Sequence, residues 1–143
     1  MFSGTTNPKL DDKGRLVIPS KFRELTDGAL YITKGQDNCL AVYTASEFTR
    51  LAEQLQQARV TTKSARDFVR NFMASAELQV PDKQGRIGIP THLRSYARLE
   101  RDLVVIGNNN KVEIWSSELW DANQAEQDEL FANRDEEVIP GIF

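Results

Sequence analysis

The sequence has 143 residues, of which 40% are hydrophobic and 27% are charged, with a formal net charge of -3. This is the composition of a soluble globular protein with one ordinary domain or two small ones. No apolar run approaches the roughly 20 residues that a membrane span needs, and the N-terminal stretch lacks both the basic region and the apolar core of a signal peptide. We therefore expect a cytoplasmic protein with no membrane partner.

Residues that could carry catalysis or bind metal are scarce. Cys39 and His92 are the single representatives of their types, so no internal disulfide can form. Apolar neighbours favour a small buried role for Cys39 over a reactive thiol, and His92 is interpreted as a polar surface residue. Asp11, Asp12 and Asp82 could be imagined as paired carboxylates, but no nucleophile, phosphate-binding glycine loop or metal-ligand spacing accompanies them. We expect no enzyme activity, no metal and no cofactor.

Charge is distributed unevenly along the chain. Residues 1–99 hold 15 Lys and Arg against 10 Asp and Glu, whereas residues 100–143 hold 3 against 11. The acidic isoelectric point of about 5.2 argues against a general nucleic-acid binder, but the count by region weakens that objection. A basic partner-binding surface is expected within the first 99 residues, and the stretch from Asp121 onward is expected to form a solvated helix and a frayed acidic end.

A phrase of fourteen residues occurs twice. LDDKGRLVIPSKFR, from Leu10 to Arg23, returns as PDKQGRIGIPTHLR, from Pro81 to Arg94. The similarity extends further, pairing Leu30–Thr33 with Leu103–Ile106, and Leu40–Phe48 with Val112–Leu119. Each half is therefore predicted to form a strand, a tight turn, a strand, a short helix, a strand, a turn, a strand and a helix.

The repeated phrase predicts a tight turn followed by an alternating strand. An Asp at the turn entrance can bind backbone N–H groups, and a Gly supplies positive φ at low cost, which assigns Asp11 with Gly14, and Asp82 with Gly85, as turn-shaping residues. In the strand of the first copy, Leu16 and Ile18 point one way while Arg15 and Val17 point the other. The second copy repeats the alternation, so burial of the aliphatic side should force Arg15 and Arg86 outward.

Proline and capping patterns place the helices. Pro19 and Pro90 end their strands and suit the start of a short helix. Thr44 to Glu47 forms a capping box for a helix that should run to about Ala58, and a second helix is predicted from Thr62 to Met73. This second helix is expected to bury Phe68, Val69, Phe72 and Met73, and to align Lys63, Arg66 and Arg70. The basic residues fit a solvated face, or contact with nucleic acid or a neighbouring subunit.

The duplication is interpreted as a folding device. A unit of some 40 residues with four short strands buries little core alone, but two copies can shelter each other. We expect residues 1–58 to form the first repeat with its helix, 59–75 a connecting helix, 76–131 the second repeat with a C-terminal helix, and 132–143 an acidic tail. Together they should form one interleaved β-barrel with approximate two-fold symmetry.

The pattern D-x-x-G-R-[LI]-x-I-P-x-x-[FL]-R, present twice and separated by a pair of helices, resembles the MraZ family, relatives of the AbrB-type regulators. The resemblance extends to about Phe131. It implies an α+β fold, a double-split (swapped-hairpin) β-barrel made from two AbrB-like repeats in one chain, with flanking helices. It also implies homo-oligomeric rings that bind double-stranded DNA at short direct repeats, upstream of the division and cell-wall gene cluster, as a nucleoid-associated repressor.

The resemblance also assigns DNA-contacting residues. Arg15 and Arg86 correspond to the principal DNA-binding arginines of the family, Arg23 and Arg94 to the basic residue after the I-P step, and Lys9 to the basic residue ahead of the first turn. Lys13 and Lys83 lie in the turns, where they are expected to contact phosphates. The second copy departs from the pattern at Val80, Pro81 and Gly88, so whether the two halves contact DNA equally is left open.

Other interpretations remain open at this stage. Arg15 and Arg86 could instead bridge to Asp11 and Asp82 and merely hold the turns. An oligomeric scaffold could bind a protein partner through its acidic tail and through Trp115 and Trp120, although core packing is the simpler role for these two tryptophans. An antitoxin-type DNA binder is the nearest relative within the DNA-binding class.

Overall fold

Eight short strands and four helices follow one another in two similar series. The structure, a computed structural model, describes residues 1–143. The first series contains β1 (Thr5–Thr6), β2 (Arg15–Val17), a 3-10 segment (Ser20–Thr26), β3 (Leu30–Lys34), β4 (Leu40–Thr44) and α1 (Ala45–Gln57). After α2 (Lys63–Ser75), the second contains β5 (Glu77–Gln79), β6 (Arg86–Gly88), α3 (Thr91–Tyr96), β7 (Leu103–Asn108), β8 (Lys111–Ser116) and α4 (Ser117–Ala132). This order confirms the predicted succession of elements.

The two halves exchange strands. Six strands form an antiparallel sheet in the order β1-β7-β8-β4-β3-β5, and β2 pairs with β6 in a separate antiparallel ribbon. The first strand of each half therefore lies beside the hairpin of the other half, since β1 pairs with β7 and β5 with β3. The predicted α+β fold of two interleaved repeats is confirmed, as a six-stranded sheet and a two-stranded ribbon.

Strand register reveals the approximate two-fold relation. In the ribbon, Leu16 lies opposite Ile87, its own counterpart in the repeat. In the sheet, Ala41 lies opposite Glu113, which are counterparts as well. An axis through both pairs exchanges the halves, so each feature of the first turn should have an equivalent on the second.

The main core lies between the ribbon and one face of the sheet. Leu16 and Ile87 from the ribbon are buried in the same cluster as Leu30 from β3 and Leu103 from β7. The short helical segments after the ribbon strands add Phe22 and Leu93 to this cluster. Because both halves supply the walls of one core, neither half closes it alone.

Helices α1 and α2 cover the other face of the first half's strands. Phe48 of α1 stacks on Tyr31 with ring centroids 4.1 Å apart, and Phe72 of α2 lies 5.9 Å from Phe48. Thr44 caps α1 by accepting a hydrogen bond from the backbone N–H of Glu47 at 3.2 Å, as predicted. The other half of the predicted capping box does not form, because the Glu47 carboxylate accepts from Arg50 and Asn110 instead. The end of α1 at Gln57 is one residue short of the predicted position.

The prediction that α2 buries four apolar side chains was wrong, since two of them are exposed and the other two, Val69 and Phe72, are only half-buried. Phe68 is 51% exposed and Met73 is 40% exposed. The four residues span a wide arc of the helix, and α2 packs chiefly on β3 with the centre of that arc, near Val69 and Phe72. The side chains at the two margins of the arc therefore remain in solvent.

Several single residues lie where the sequence placed them. Cys39 is buried, and desolvation raises the pKa of its thiol to about 12, which keeps it protonated and unreactive. His92 is on the surface, with Nδ1 3.9 Å from Glu77. Trp115 and Trp120 are half-buried and meet edge to face at 5.5 Å. No helix combines the length and apolar character that a membrane span demands.

The ribbon makes a direct test of this packing possible. Leu16→Ala should lower the free energy of unfolding by about 2–5 kcal/mol, because the side chain is fully buried and leaves a cavity. Val17→Ala, one residue along the same strand, should change it by less than about 0.5 kcal/mol, because Val17 faces solvent. Urea unfolding of both variants checks the expectation, and equal losses would show that the ribbon does not bury its Leu16 side.

Candidate nucleic-acid interface

The first turn holds Arg15 through a single carboxylate. Asp11 Oδ1 accepts hydrogen bonds from the backbone N–H of Lys13 at 2.9 Å and of Arg15 at 2.8 Å. The other oxygen, Oδ2, accepts from Nε of Arg15 at 2.8 Å. Gly14 completes the turn with φ of +74°, in the region that favours glycine.

The second turn repeats this geometry almost atom for atom. Asp82 Oδ1 accepts from the backbone N–H of Gln84 and of Arg86, both at 2.9 Å, and Oδ2 accepts from Nε of Arg86 at 2.8 Å. Gly85 has φ of +75°. Two turns 71 residues apart in sequence therefore fix an arginine in the same way.

Both carboxylates are held in the ionised form. The pKa of Asp11 and that of Asp82 are lowered, first by the hydrogen bond from the backbone N–H of the arginine and also by the arginine side chain. These charge-assisted bonds attach each guanidinium at one edge.

The ion pairs leave the far end of each guanidinium open. Arg15 and Arg86 are bound through Nε alone, and neither Nη atom of either residue has a hydrogen-bond partner in the protein. Their side chains are 34% and 31% exposed. The turn-holding role raised above is therefore present, and it also orients the Nη fork toward solvent.

The two arginines share the outer surface of the ribbon. Arg15 lies opposite Gly88 and Arg86 lies opposite Val17, so the arginines are diagonal neighbours across the strand pair. Such neighbours have Cβ atoms on the order of 7 Å apart. The ribbon thus presents two guanidinium forks, related by the approximate two-fold axis, on one narrow surface.

Val17 is a residue of this surface that the sequence analysis did not single out as a candidate. It lies on the same outward side as the arginines and is exposed although it is aliphatic. The strand alternation already placed it beside Arg15, so the signal was present. Its counterpart Gly88 leaves open space beside Arg15, and this is the main chemical difference between the two ends of the ribbon.

Lysines border the ribbon at opposite ends. Lys13 lies in the turn before β2 and Lys83 in the turn before β6. Both are exposed, and neither ammonium group makes an ion pair or hydrogen bond. They are available to an external anion.

The other expected DNA contacts are partly engaged within the protein. Arg94 Nη2 donates to Thr91 Oγ1 at 2.8 Å, and its guanidinium lies against Gly14 of the opposite turn. Arg23 instead donates from Nε to the carbonyl of Ser20 at 3.3 Å. Arg94 therefore adjoins the first turn, whereas no side chain approaches the α-carbon of Gly85 in the same way.

Lys9 and its surroundings differ most between the halves. Its ammonium lies 3.5 Å from Asp102, and both side chains are well exposed. The backbone N–H of the next residue, Leu10, donates to the carbonyl of Arg101 at 2.8 Å. Pro81 occupies the place of Leu10 in the second half and has no N–H to donate, so the second turn lacks this attachment.

Comparisons with known proteins agree on one family. The model of a family described as "MraZ protein, putative antitoxin-like" matches residues 1–71 and again residues 72–140. The chain is 52% identical over 143 residues to a protein of Leifsonia xyli subsp. xyli, and 55% identical over 143 residues to one of Parafrankia sp., with complete coverage of both chains in each case. It is 54% identical to a protein of Salinispora arenicola over 99% of this chain and all of the relative. All three are named "Transcriptional regulator MraZ".

The carboxylates of Asp11 and Asp82 should make the folding stability of the protein depend on pH. Since the folded-state pKa of Asp11 and Asp82 lies below the ordinary value of 3.8, their contribution is present above that value and disappears as pH falls through the lower folded pKa. The melting temperature should therefore fall more steeply between pH 5 and pH 2 for the wild type than for the double variant Asp11→Asn/Asp82→Asn. Asp12→Asn is the matched control, because that carboxylate makes no hydrogen bond to the turn. Parallel curves for all three proteins would contradict the assignment.

Proposed function

Since the chain belongs to the MraZ family, we propose that it is a DNA-binding transcriptional regulator. In this proposal it binds short direct repeats in double-stranded DNA upstream of the division and cell-wall gene cluster, and it acts as a repressor in the cytoplasm, associated with the nucleoid. The names of the relatives support a role in the regulation of transcription.

One observation carries the proposal, namely the outer surface of the β2–β6 ribbon. The major groove of B-form DNA admits a two-stranded ribbon, and the outward side chains of a ribbon then meet the base edges. Here those side chains are Arg15, Val17 and Arg86, with Gly88 leaving a gap. The ribbon is three residues long on each strand, or roughly 10 Å, which suits a footprint of a few base pairs.

The arginines are the proposed base readers. The free Nη fork of Arg15 or Arg86 can donate to O6 and N7 of a guanine, a pairing worth roughly 1–3 kcal/mol against other bases. Because Asp11 or Asp82 already orients the fork, less side-chain entropy is lost on binding. Val17 offers an apolar contact to a thymine methyl beside Arg86.

The other basic residues are proposed to position the protein on phosphates. Lys13 and Lys83 are unpaired at the two ends of the ribbon and are the most available. Arg94 beside the first turn, Arg23 in the 3-10 segment, and Lys9 after exchange of its partner Asp102 would add further contacts. Phosphate contacts set orientation, and base contacts set sequence preference.

Charge around the ribbon is too low for a single copy to bind tightly. Residues 11–18 and 82–89 hold four basic and three acidic side chains. Each neutralised phosphate contributes a slope of about -0.9 in the logarithm of affinity against the logarithm of salt, so a few contacts give weak, salt-sensitive binding. We infer that several copies act together in a homo-oligomeric ring, which restores affinity through effective concentration when the operator repeats a short site.

Repression follows from occupancy of the promoter, and no catalytic step is needed. The alternative of an antitoxin-type DNA binder is favoured only by the wording of the family description. It requires a partner toxin. Release of the operator on addition of the product of a neighbouring gene would support that alternative, whereas repression by this chain alone supports the regulator.

Substitutions of Arg15 separate base reading from phosphate contact. Arg15→Lys keeps the charge but loses the fork, so binding to the fragment upstream of the chain's own gene should weaken by about 10- to 100-fold with an unchanged salt slope. Lys13→Ala should weaken binding to all sequences alike and reduce the salt slope by about one. Gel-shift titrations at several salt concentrations measure both quantities.

Light scattering supplies the control for these variants, since an intact oligomer shows that only the DNA contact has changed. Arg86→Lys should behave as Arg15→Lys does if both ends of the ribbon read bases. Arg15→Ala and Arg86→Ala should abolish the shift of the upstream fragment, and unchanged binding by these two variants would contradict the proposed role of the ribbon.

A further inference from the structure

The C-terminal part of α4 extends past the body of the protein. Every residue from 125 to 132 is exposed, and no residue of α4 is buried. Two of these exposed residues are large and apolar, since Leu130 is 43% exposed and Phe131 is 88% exposed. A projecting helical end of about two turns is marginal in water without a partner. Phe131 leaves most of its apolar surface in solvent, and Leu130 leaves nearly half.

The exposed apolar pair continues the side of α4 that packs on the sheet. Leu130 and Phe131 follow Leu119 and Trp120 by eleven residues, which is close to three full turns of an α-helix. Leu119 and Trp120 are half-buried at the start of the helix, where Trp120 meets Trp115 of β8. The same stripe therefore covers the sheet at one end and overhangs it at the other. We name residues 125–132 the α4 overhang.

The α4 overhang lies in an acidic environment in which the carboxylates form no ion pairs. Eight carboxylates occur between residues 117 and 137, against the single basic residue Arg134. None of the eight takes part in an ion pair within the protein, although eight ion pairs form elsewhere. An apolar stripe bordered by uncompensated acids such as Glu126 and Glu129 fits a partner that is apolar and basic.

The approximate two-fold axis shows where a partner helix fits. On the first half, α1 and α2 lie side by side over the outer face of β3 and β4. On the second half, α4 alone takes the place of α1 over β7 and β8, and no helix lies where α2 would map. The outer face beside α4 is therefore left without the second covering helix that α2 supplies on the first half.

The surface of α2 has the complementary character. Lys63, Arg66, Arg70 and Met73 recur at spacings of three and four residues, so they share one side of the helix. All four are exposed. Asp67, the only acidic residue in α2, forms ion pairs with Lys63 at 2.6 Å and with Arg70 at 3.1 Å, which leaves Arg66 as the cation of this side without an ion pair. Met73 is thus an apolar contact at the border of a basic stripe, as Leu130 and Phe131 are apolar contacts among acids.

We propose that the basic side of α2 in one copy docks beside the α4 overhang of a second copy. Arg66, which forms no ion pair within its own chain, and Arg70, which binds Asp67 through Nη1 alone, then lie against Glu126 and Glu129. Met73 packs on the apolar pair of the overhang. This inference rests on the proposed oligomeric regulator and names the surfaces through which its copies associate.

The arrangement of the contact follows from its two different surfaces. Each copy offers α2 to one neighbour and the α4 overhang to another, which makes the contact head-to-tail. Repeated head-to-tail contacts that close form a ring, and they present every ribbon in the same sense. Similarly oriented ribbons match direct repeats in DNA, whereas a contact that uses the same surface twice would match inverted repeats.

Charge reversal tests the contact with full-length protein. Glu126→Lys/Glu129→Lys and Arg66→Glu/Arg70→Glu should each raise the concentration needed for assembly by about tenfold or more, because two attractive pairs become repulsive. An equimolar mixture of the two variants should assemble again, since every contact in an alternating oligomer then joins opposite charges. Sedimentation velocity measures the masses, and circular dichroism with thermal unfolding verifies that each variant folds. Glu24→Lys/Glu53→Lys, which reverses two exposed carboxylates on other surfaces, is the matched control.

The outcomes separate this inference from the proposed function. A monomeric wild-type chain, an unchanged mass in both reversal variants, or a mixture that fails to assemble would overturn the contact. DNA binding by the wild type is measured apart from assembly. If the wild type assembles and follows the reversal pattern but does not bind the upstream fragment, the interface stands and the regulator proposal fails.

Discussion

Burial of Leu16 against Ile87 decides which way the ribbon faces. The two residues are counterparts in the repeat and lie opposite each other on the two-fold axis, sealed over the core. Strand alternation then leaves Arg15 and Arg86 no position except the outer surface. The carboxylates of the two turns then bind Nε of each arginine. The inner side of the ribbon is therefore held by hydrophobic packing and each arginine by an ion pair, and only the Nη atoms remain for a ligand.

The low net charge of the ribbon also explains why the protein is proposed to bind DNA as an oligomer. The ribbon has a well-defined shape but little excess positive charge, since aspartates that orient the arginines also neutralise them. In this proposal, sequence preference and binding strength therefore depend on different features of the protein. In the proposed mechanism a single ribbon selects a site, and affinity depends on how many ribbons the oligomer holds together. The proposed contact between α2 and α4 would then serve the same function.

Much of this architecture can be predicted from the repeated phrase, because turn residues and period-two alternation are local properties. The outward arginines, the inward aliphatic residues and the capping of α1 are of this kind. The pairing of β2 with β6 across 71 residues is not local, so the alignment of Arg15 with Gly88 had to come from the structure. The exposure of Phe68 and Met73 was not predicted for a related reason. Helical periodicity gives the direction in which an apolar side chain points, but it does not show whether another element packs against that side chain.

The central claim is that free Nη atoms on the ribbon read guanine in the major groove. Methylation interference on the upstream fragment tests it most directly, because a methyl group on guanine N7 blocks the acceptor that an arginine fork uses. The account predicts that methylation of particular guanines in each repeat prevents binding, and that Arg15→Lys removes the effect at one of these guanines while others keep theirs. Binding that tolerates N7 methylation everywhere, and is lost only when phosphates are ethylated, would contradict it.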